Sequence, residues 1–273
     1  MTYQNLKEDA KNNCLIVAHR GTSGGNIPCN TWDAFDAAIL HGADMIELDV
    51  APSRDGELFV FHPGMEFAYL GSQQAIQDLT AEEVHKLRFL NGDRTPTEQP
   101  VRTLAETFQH LKGRCYINVD KYWSAIEPIT ETIRKYQMQD QILVKASPAE
   151  ETFVLMEKVA PEINFMLILK HEDQYSDALL KRNLNYVGAE VLFTEDSAPV
   201  ASPSYIQSMQ EKGLLVWANS IVYNYKDVLA AGHNDDISIV GKADEGWGWL
   251  IKRGYNFIQT DWPLALNLYK ASL

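Results

Sequence analysis

The chain has 273 residues, 24 Lys and Arg against 37 Asp and Glu, and a formal net charge of −13. That length suits one large domain or two small ones, and a hydrophobic fraction of 45% supplies a sizeable core. The acidic balance argues against a non-specific nucleic-acid binder and disfavours docking on an anionic membrane, but it leaves small phosphate esters open.

In chain order, residues 1–13 are polar and lack the apolar stretch of a signal peptide. The sequence as written therefore predicts a cytoplasmic protein, or a periplasmic or secreted one if an export signal was trimmed. No apolar run approaches the ~18 residues of a membrane span. The three cysteines, Cys14, Cys29 and Cys115, form neither a disulfide framework nor a zinc spacing and read as structural thiols.

Strands are predicted over 14–19, 45–50, 115–120, 141–146, 164–170, 189–193, 214–220 and 257–261. Most are continuous Ile/Leu/Val runs, the mark of strands buried on both faces of a parallel sheet. Helical patterns lie between most of them. Residues 31–42 space Trp32, Phe35, Ala38 and Ile39 along one side and stop at Gly42. Residues 124–138, 148–160 and 202–213 behave alike, the last ending at Gly213. Eight β/α repeats in this length predict an α/β fold, a (β/α)8 TIM-type barrel, in one catalytic domain over 1–273. A doubly wound sheet is the runner-up, but no GxGxxG follows the first strand. The rhythm breaks after the second strand. A hairpin partner over 57–62 follows the turn signal Arg54-Asp55-Gly56, and an insertion runs over about 63–100. It is expected on the active face, with one helix over 79–89 and a polar loop over 91–100.

In such barrels chemistry gathers at the C-terminal strand ends. The ends here carry His19-Arg20-Gly21, Glu47 and Asp49, His62, Asn118, Asp120 and Lys121, Lys145, Trp217 and Asn219, and Thr260-Asp261. Singly each has an ordinary reading: a strand-end His caps a loop, and Asp261 before Trp262-Pro263 suits a helix N-cap. Convergence on one rim is what singles them out. Glu47 and Asp49 lie two apart in a strand and so share a face, ~6.5–7 Å apart. Two buried carboxylates repel and lose hydration, and a cation relieves both costs. Asp120 from the next strand can add a third oxygen. An all-oxygen set selects a hard ion, Mg²⁺ or Ca²⁺, with Mn²⁺ a further option. Neutralisation by Arg20 or Lys145 is the alternative. His19 and His62 suit acid/base work on a phosphodiester, and Arg20 offers a planar fork to its oxygens. Asn118 and Asp120 share a face, so Lys121 should point away unless the strand has ended, which favours Lys145 as the inward lysine.

Residues 19–63 resemble the opening of the glycerophosphodiester phosphodiesterase family. The matching pieces are His19-Arg20-Gly21, Pro28-Cys29-Asn30-Thr31, Gly42-Ala43-Asp44-Met45-Ile46-Glu47-Leu48-Asp49, Asp55-Gly56 and His62. Val101-Arg102-Thr103-Leu104-Ala105-Glu106 and Gln259-Thr260-Asp261-Trp262-Pro263 are similar to later family steps. The resemblance implies a TIM-type barrel, a divalent cation, and hydrolysis of glycerophosphodiesters to glycerol 3-phosphate and an alcohol. It implies His19 and His62 as the acid/base pair, Arg20 as a phosphate ligand, and Glu47 and Asp49 as metal ligands. Lys145, Lys121 and Trp217 are the further candidates for the substrate, and Asp120 for the metal. Three positions depart from the family pattern. Cys29 stands where the Glu of Pro-Glu-Asn-Thr is a metal ligand. Asn118-Val119-Asp120-Lys121 replaces a Glu-x-Lys step, and Pro63 replaces an Asp. Glu66 reads as an exposed loop acid. Rival readings are a lysophospholipase D or sphingomyelinase D-like enzyme, and a non-catalytic phosphate-ligand binder. The expected partner is a small phosphodiester, with no nucleic acid and no stable membrane anchor.

Overall fold

The computed structural model describes residues 2–224 and 226–273. Eleven strands follow in chain order: β1 (Leu15–His19), β2 (Met45–Pro52), β3 (Leu58–Val60), β4 (Arg88–Leu90), β5 (Pro96–Pro100), β6 (Tyr116–Asp120), β7 (Ile142–Ala146), β8 (Asn164–Lys170), β9 (Tyr186–Leu192), β10 (Leu215–Asn219) and β11 (Phe257–Thr260). Eight of them, β1, β2 and β6 to β11, pair in parallel, and β1 pairs with both β2 and β11. These eight strands thus close into a barrel, with β3 added antiparallel to the end of β2, and helices wrap it.

Closure sorts each strand's side chains by parity. One parity faces the helices and packs Ile16, Ala18, Ile46, Leu48, Ile117 and Val119 into the main core. The other faces the barrel interior. There Leu15, Val17, Met45, Tyr116, Leu143 and Phe257 form a separate apolar plug near the strands' N-terminal ends. The helix Leu6–Lys11 closes that end with Leu6 and Ala10, and Asp9 accepts a hydrogen bond from the Tyr116 hydroxyl at 2.7 Å. Two residues further along the same parity the side chains turn polar: His19 above Val17, Glu47 above Met45, Asn118 above Tyr116, Lys145 above Leu143. The plug thus supports a polar floor at the C-terminal end.

Gly188 permits the close pairing of β9 with β10. Its φ is +153°, and a Cβ there would fall 1.9 Å from the Leu215 carbonyl oxygen.

The insertion differs from its sequence reading. The helix covers only Ala81–His85, and 88–100 is not a loop but an antiparallel ribbon, β4 with β5. Asn91 makes its turn by accepting from the Asp93 and Thr95 amides. A third apolar cluster, with Phe59, Phe61, Leu70, Val84 and Phe89, holds the insertion together and ties it to the β2–β3 hairpin. Glu66 is not an exposed loop acid; it is buried, and its Oε1 accepts from the Ile76 amide at 3.2 Å. Among the described residues no helix is long and apolar enough to cross a membrane.

Candidate active site

The turn after β1 sets the first residues. Arg20 has φ 56° and Gly21 φ 79°, and a Cβ on Gly21 would lie 2.7 Å from the Ala34 carbonyl carbon. Only glycine lets the chain turn there against the helix Trp32–Leu40. The turn puts the Arg20 amide on Glu47 Oε2 at 3.0 Å and the Arg20 Nε on Asp49 Oδ2 at 2.9 Å. Asn30, also left-handed at φ 59°, donates its Nδ2 to the same Asp49 oxygen at 2.9 Å.

Glu47, Asp49 and Asp120 meet on the floor, each offering an oxygen within 4.8 Å of the others. Register explains the meeting: Asp49 is paired with Asp120 across β2 and β6. Burial, then the neighbouring Asp49 charge, pushes the Glu47 carboxyl up to about 7. Burial would raise Asp120 too, but the Lys121 and Lys145 charges outweigh it and hold it below the usual range. Asp49 Oδ1 and Asn118 Oδ1 are buried with no hydrogen-bond partner. A crowded set of carboxylates with orphaned oxygens suits a hard divalent cation and suits zinc poorly.

The two histidines stand above this floor. His19 Nδ1 lies 2.8 Å from Asp261 Oδ1. A carboxylate only accepts, so Nδ1 carries the proton and Nε2 is the ring nitrogen left for a ligand. Burial lowers the His19 pKa, but the Asp261 hydrogen bond and the Glu47 charge outweigh it and raise it. His62 Nε2 is 3.9 Å from Asp49 Oδ1, and both its ring nitrogens are buried without a hydrogen bond. Burial makes its pKa lower than usual. Asp261 is therefore not the helix N-cap of the sequence reading. Trp262 holds that position, and the Asp261 carboxylate turns to His19 instead.

Two cavities, of about 540 and 210 Å³, share His19, Arg20, His62 and Tyr223, and the smaller one also reaches Glu47 and Asp120 of the floor. Both lysines reach the smaller one. β6 ends at Asp120, and Lys121, left-handed at φ 60°, swings inward to meet Asp120 Oδ2 at 3.1 Å. Lys145 is inward as expected, but it is held by Glu190 Oε2 at 2.7 Å and lies 4.1 Å over the Trp217 ring. Trp217 is fully buried, belongs to the apolar plug and lines neither cavity, which leaves it a support under Lys145 rather than a ligand contact. Cys29 lines the larger cavity beside Arg20 and Tyr69 of the insertion, and burial pushes its thiol up to about 11. An un-ionised thiol is a poor oxygen-metal substitute.

Glu190 and Asp235 escaped the sequence reading. Glu190 had a signal: it is the one charge inside the apolar run 189–193. Asp235 had none beyond its place in a polar loop.

Comparisons with known proteins agree with this geometry. The model of the family described as glycerophosphoryl diester phosphodiesterase matches residues 19–264. A glycerophosphodiester phosphodiesterase of Caldanaerobacter subterraneus subsp. tengcongensis is 30% identical over 165 residues, 56% of this chain and 66% of that relative's length. A glycerophosphoryl diester phosphodiesterase crystal structure from Parabacteroides distasonis superposes with a TM-score of 0.76 at 18% identity, covering 98% of this chain and 92% of that one. An Oleispira antarctica phosphodiesterase solved with the product sn-glycerol-3-phosphate gives a TM-score of 0.70 at 18% identity, covering 98% and 100%. At such identities the likeness of the two structures is one of fold.

Proposed function

The chain belongs to the glycerophosphoryl diester phosphodiesterase family, and from that premise we propose that it hydrolyses a glycerophosphodiester to glycerol 3-phosphate and an alcohol, with His19 and His62 as the acid/base pair. The observation that carries this reading is the placement of two imidazoles over one cluster of three carboxylates, Glu47 and Asp49 buried and Asp120 half-buried, with both imidazoles and the Arg fork on the wall of the two cavities. The product bound to the Oleispira antarctica phosphodiesterase is of the same chemical kind.

Glu47, Asp49 and Asp120 would hold a divalent cation, Mg²⁺ or Ca²⁺. Such an ion supplies positive charge to the phosphate's non-bridging oxygens. Arg20, fixed through its Nε to Asp49, presents the rest of its fork to those oxygens. Lys121 and Lys145 add positive charge at the floor. One histidine takes the proton of the nucleophile, water or the neighbouring glycerol hydroxyl, and the other gives a proton to the departing oxygen. In either role His19 acts through Nε2, because Nδ1 is committed to Asp261.

The test is turnover of glycerophosphocholine by wild type, His19→Ala and His62→Ala, with EDTA and with Mg²⁺, Ca²⁺ or Mn²⁺. Each variant is expected to lose at least about 10²-fold in kcat with its fold intact. Full rate in both variants would overturn the mechanism, and binding without turnover under every cation would leave a phosphate-ligand binder.

A second reading rests on the rim. Trp123, Val222, Tyr223 and Trp262 line the cavities yet are 42–54% exposed. Such a rim suits the acyl tail of a lysolipid, as in a lysophospholipase D or a sphingomyelinase D-like enzyme. A kcat/KM higher on lysophosphatidylcholine than on glycerophosphocholine favours it, and the reverse order excludes it.

A further inference from the structure

We infer that Asp235 is a positioning residue: buried outside the cavities, it fixes Asp261 and through it aims His19. The inference rests on the reading that His19 moves a proton.

Asp235 opens the short helix Asp235–Ile237 and is 3% exposed. It lines neither cavity. Four donors from three separate parts of the chain converge on its carboxylate. Oδ1 accepts from the Ser220 hydroxyl at 2.6 Å, the Trp247 indole at 2.7 Å and the Thr260 hydroxyl at 2.8 Å. Oδ2 accepts from the Asp261 amide at 2.8 Å. It therefore clamps the ends of β10 and β11 to the helix Trp247–Arg253.

The clamp matters because of what Asp261 does. Its side chain is 45% exposed, and its Oδ1 meets His19 Nδ1 at 2.8 Å. An exposed carboxylate gains little from a partner in water, since solvent competes and rotamer freedom opposes the contact. What keeps Asp261 on His19 is the fixed position of its backbone, and the Asp235 carboxylate holds the Asp261 amide. The order is Trp247 and Ser220 to Asp235, Asp235 to Asp261, Asp261 to His19 Nδ1, leaving His19 Nε2 aimed at the cavity.

Asparagine at 235 cannot replace this. Its amide has one acceptor end, whereas the Asp261 amide and the Trp247 indole sit at opposite oxygens and both only donate. Either orientation sets one N–H against another. The backbone bond from the Asp235 amide to the Ser220 carbonyl, 2.7 Å, survives the change, so the helix Asp235–Ile237 stays tied to the end of β10.

The experiment is a double-mutant cycle of D235N with D261A, using glycerophosphocholine and the activating cation. Alongside it, the imidazole N–H spectrum of His19 is read in ¹⁵N-His-labelled protein without substrate. D235N is expected to lower kcat about 10²-fold with KM unchanged, the scale of a misplaced catalytic group. In the D261A background it should cost less than about twofold, because no carboxylate remains to aim. The His19 Nδ1–H resonance should be present in wild type, absent in D261A and shifted or broadened in D235N. Adding W247F to D235N removes the competing indole donor and should restore part of the rate and of the resonance. The inference is overturned if D235N costs the same factor with and without D261A, or if the His19 resonance is unchanged in D235N. If D235N does not fold, D235N/W247F carries the same comparison. If His19→Ala keeps full rate, the function reading fails instead, and the spectrum still decides whether Asp235 orients His19.

Discussion

Asp49 takes part in three interactions at once. Its Oδ2 is shared by Arg20 Nε and Asn30 Nδ2, its amide faces Asn30 Oδ1 at 3.4 Å, and its Oδ1 is left for a ligand. Asn30 thus orients the carboxylate without facing the cavity. Asn30→Gly keeps the left-handed backbone and removes only the amide. Calorimetric titration with Mn²⁺ or Ca²⁺ should then show the dissociation constant raised about 10- to 100-fold, the usual cost of losing a group that orients a metal ligand. An unchanged constant would mean that the cation does not use Asp49. Lys145 and Glu190 give a second test, since their side chains are only 4% and 9% exposed. Lys145→Met strands a buried carboxylate and should cost about 3–5 kcal/mol in urea unfolding, most of it recovered by adding Glu190→Gln. This pair shows where residue-level reading stops. Lys145 is visible as a strand-end charge, but its partner sits two strands away around the barrel, and sequence separation carries no trace of that pairing. Asp261 was misread for a related reason: an Asp before Trp-Pro looks like a cap until the His19 ring from the other end of the chain is brought beside it.

At the scale of elements, the barrel strands were legible because burial on both faces demands unbroken apolar runs, and each of the eight runs is a strand in the fold. Parity along those runs also placed Glu47 with Asp49 and Asn118 with Asp120. The ribbon β4–β5 was not legible. Pro96 and Pro100 bound β5 and argue against a strand, yet they are tolerated because β5 pairs only with β4 and leaves its other side unpaired. Its seat is local: Phe89 packs on Phe61, with ring centroids 5.9 Å apart, inside the insertion's own apolar cluster. Phe89→Ala should therefore destabilise the insertion by about 3 kcal/mol or more and leave the barrel core intact. Hydrogen exchange should show amides of 65–100 losing protection while those of β6 to β11 keep theirs. Uniform loss across both regions would mean that the insertion and the barrel unfold as one. Because Tyr69 of the insertion lines the larger cavity, kcat/KM should fall in the same variant.

The whole molecule carries −13, yet its candidate site is built for an anion. The two facts act at different ranges. Three of the acids, Glu47, Asp49 and Asp120, lie in the floor, where the charges of Arg20, Lys121 and Lys145 offset them, together with the cation proposed for that floor. The rest act from a distance and are screened beyond ~8 Å at physiological salt. A small diester that has reached the cavity therefore meets local positive charge, while a polyanion too long to fit meets the acidic exterior. The consequence is a sign that can be measured. Where phosphate contacts release counterions, affinity falls steeply as salt rises. Here the long-range term is repulsive, so added salt weakens a barrier instead of an attraction. Between about 10 and 150 mM NaCl, kcat/KM on an anionic glycerophosphodiester should stay level or rise up to about twofold. On zwitterionic glycerophosphocholine it should not change. A tenfold fall over the same range would show that the outer surface draws anions in, and would return nucleic acid or an anionic membrane to consideration as a partner.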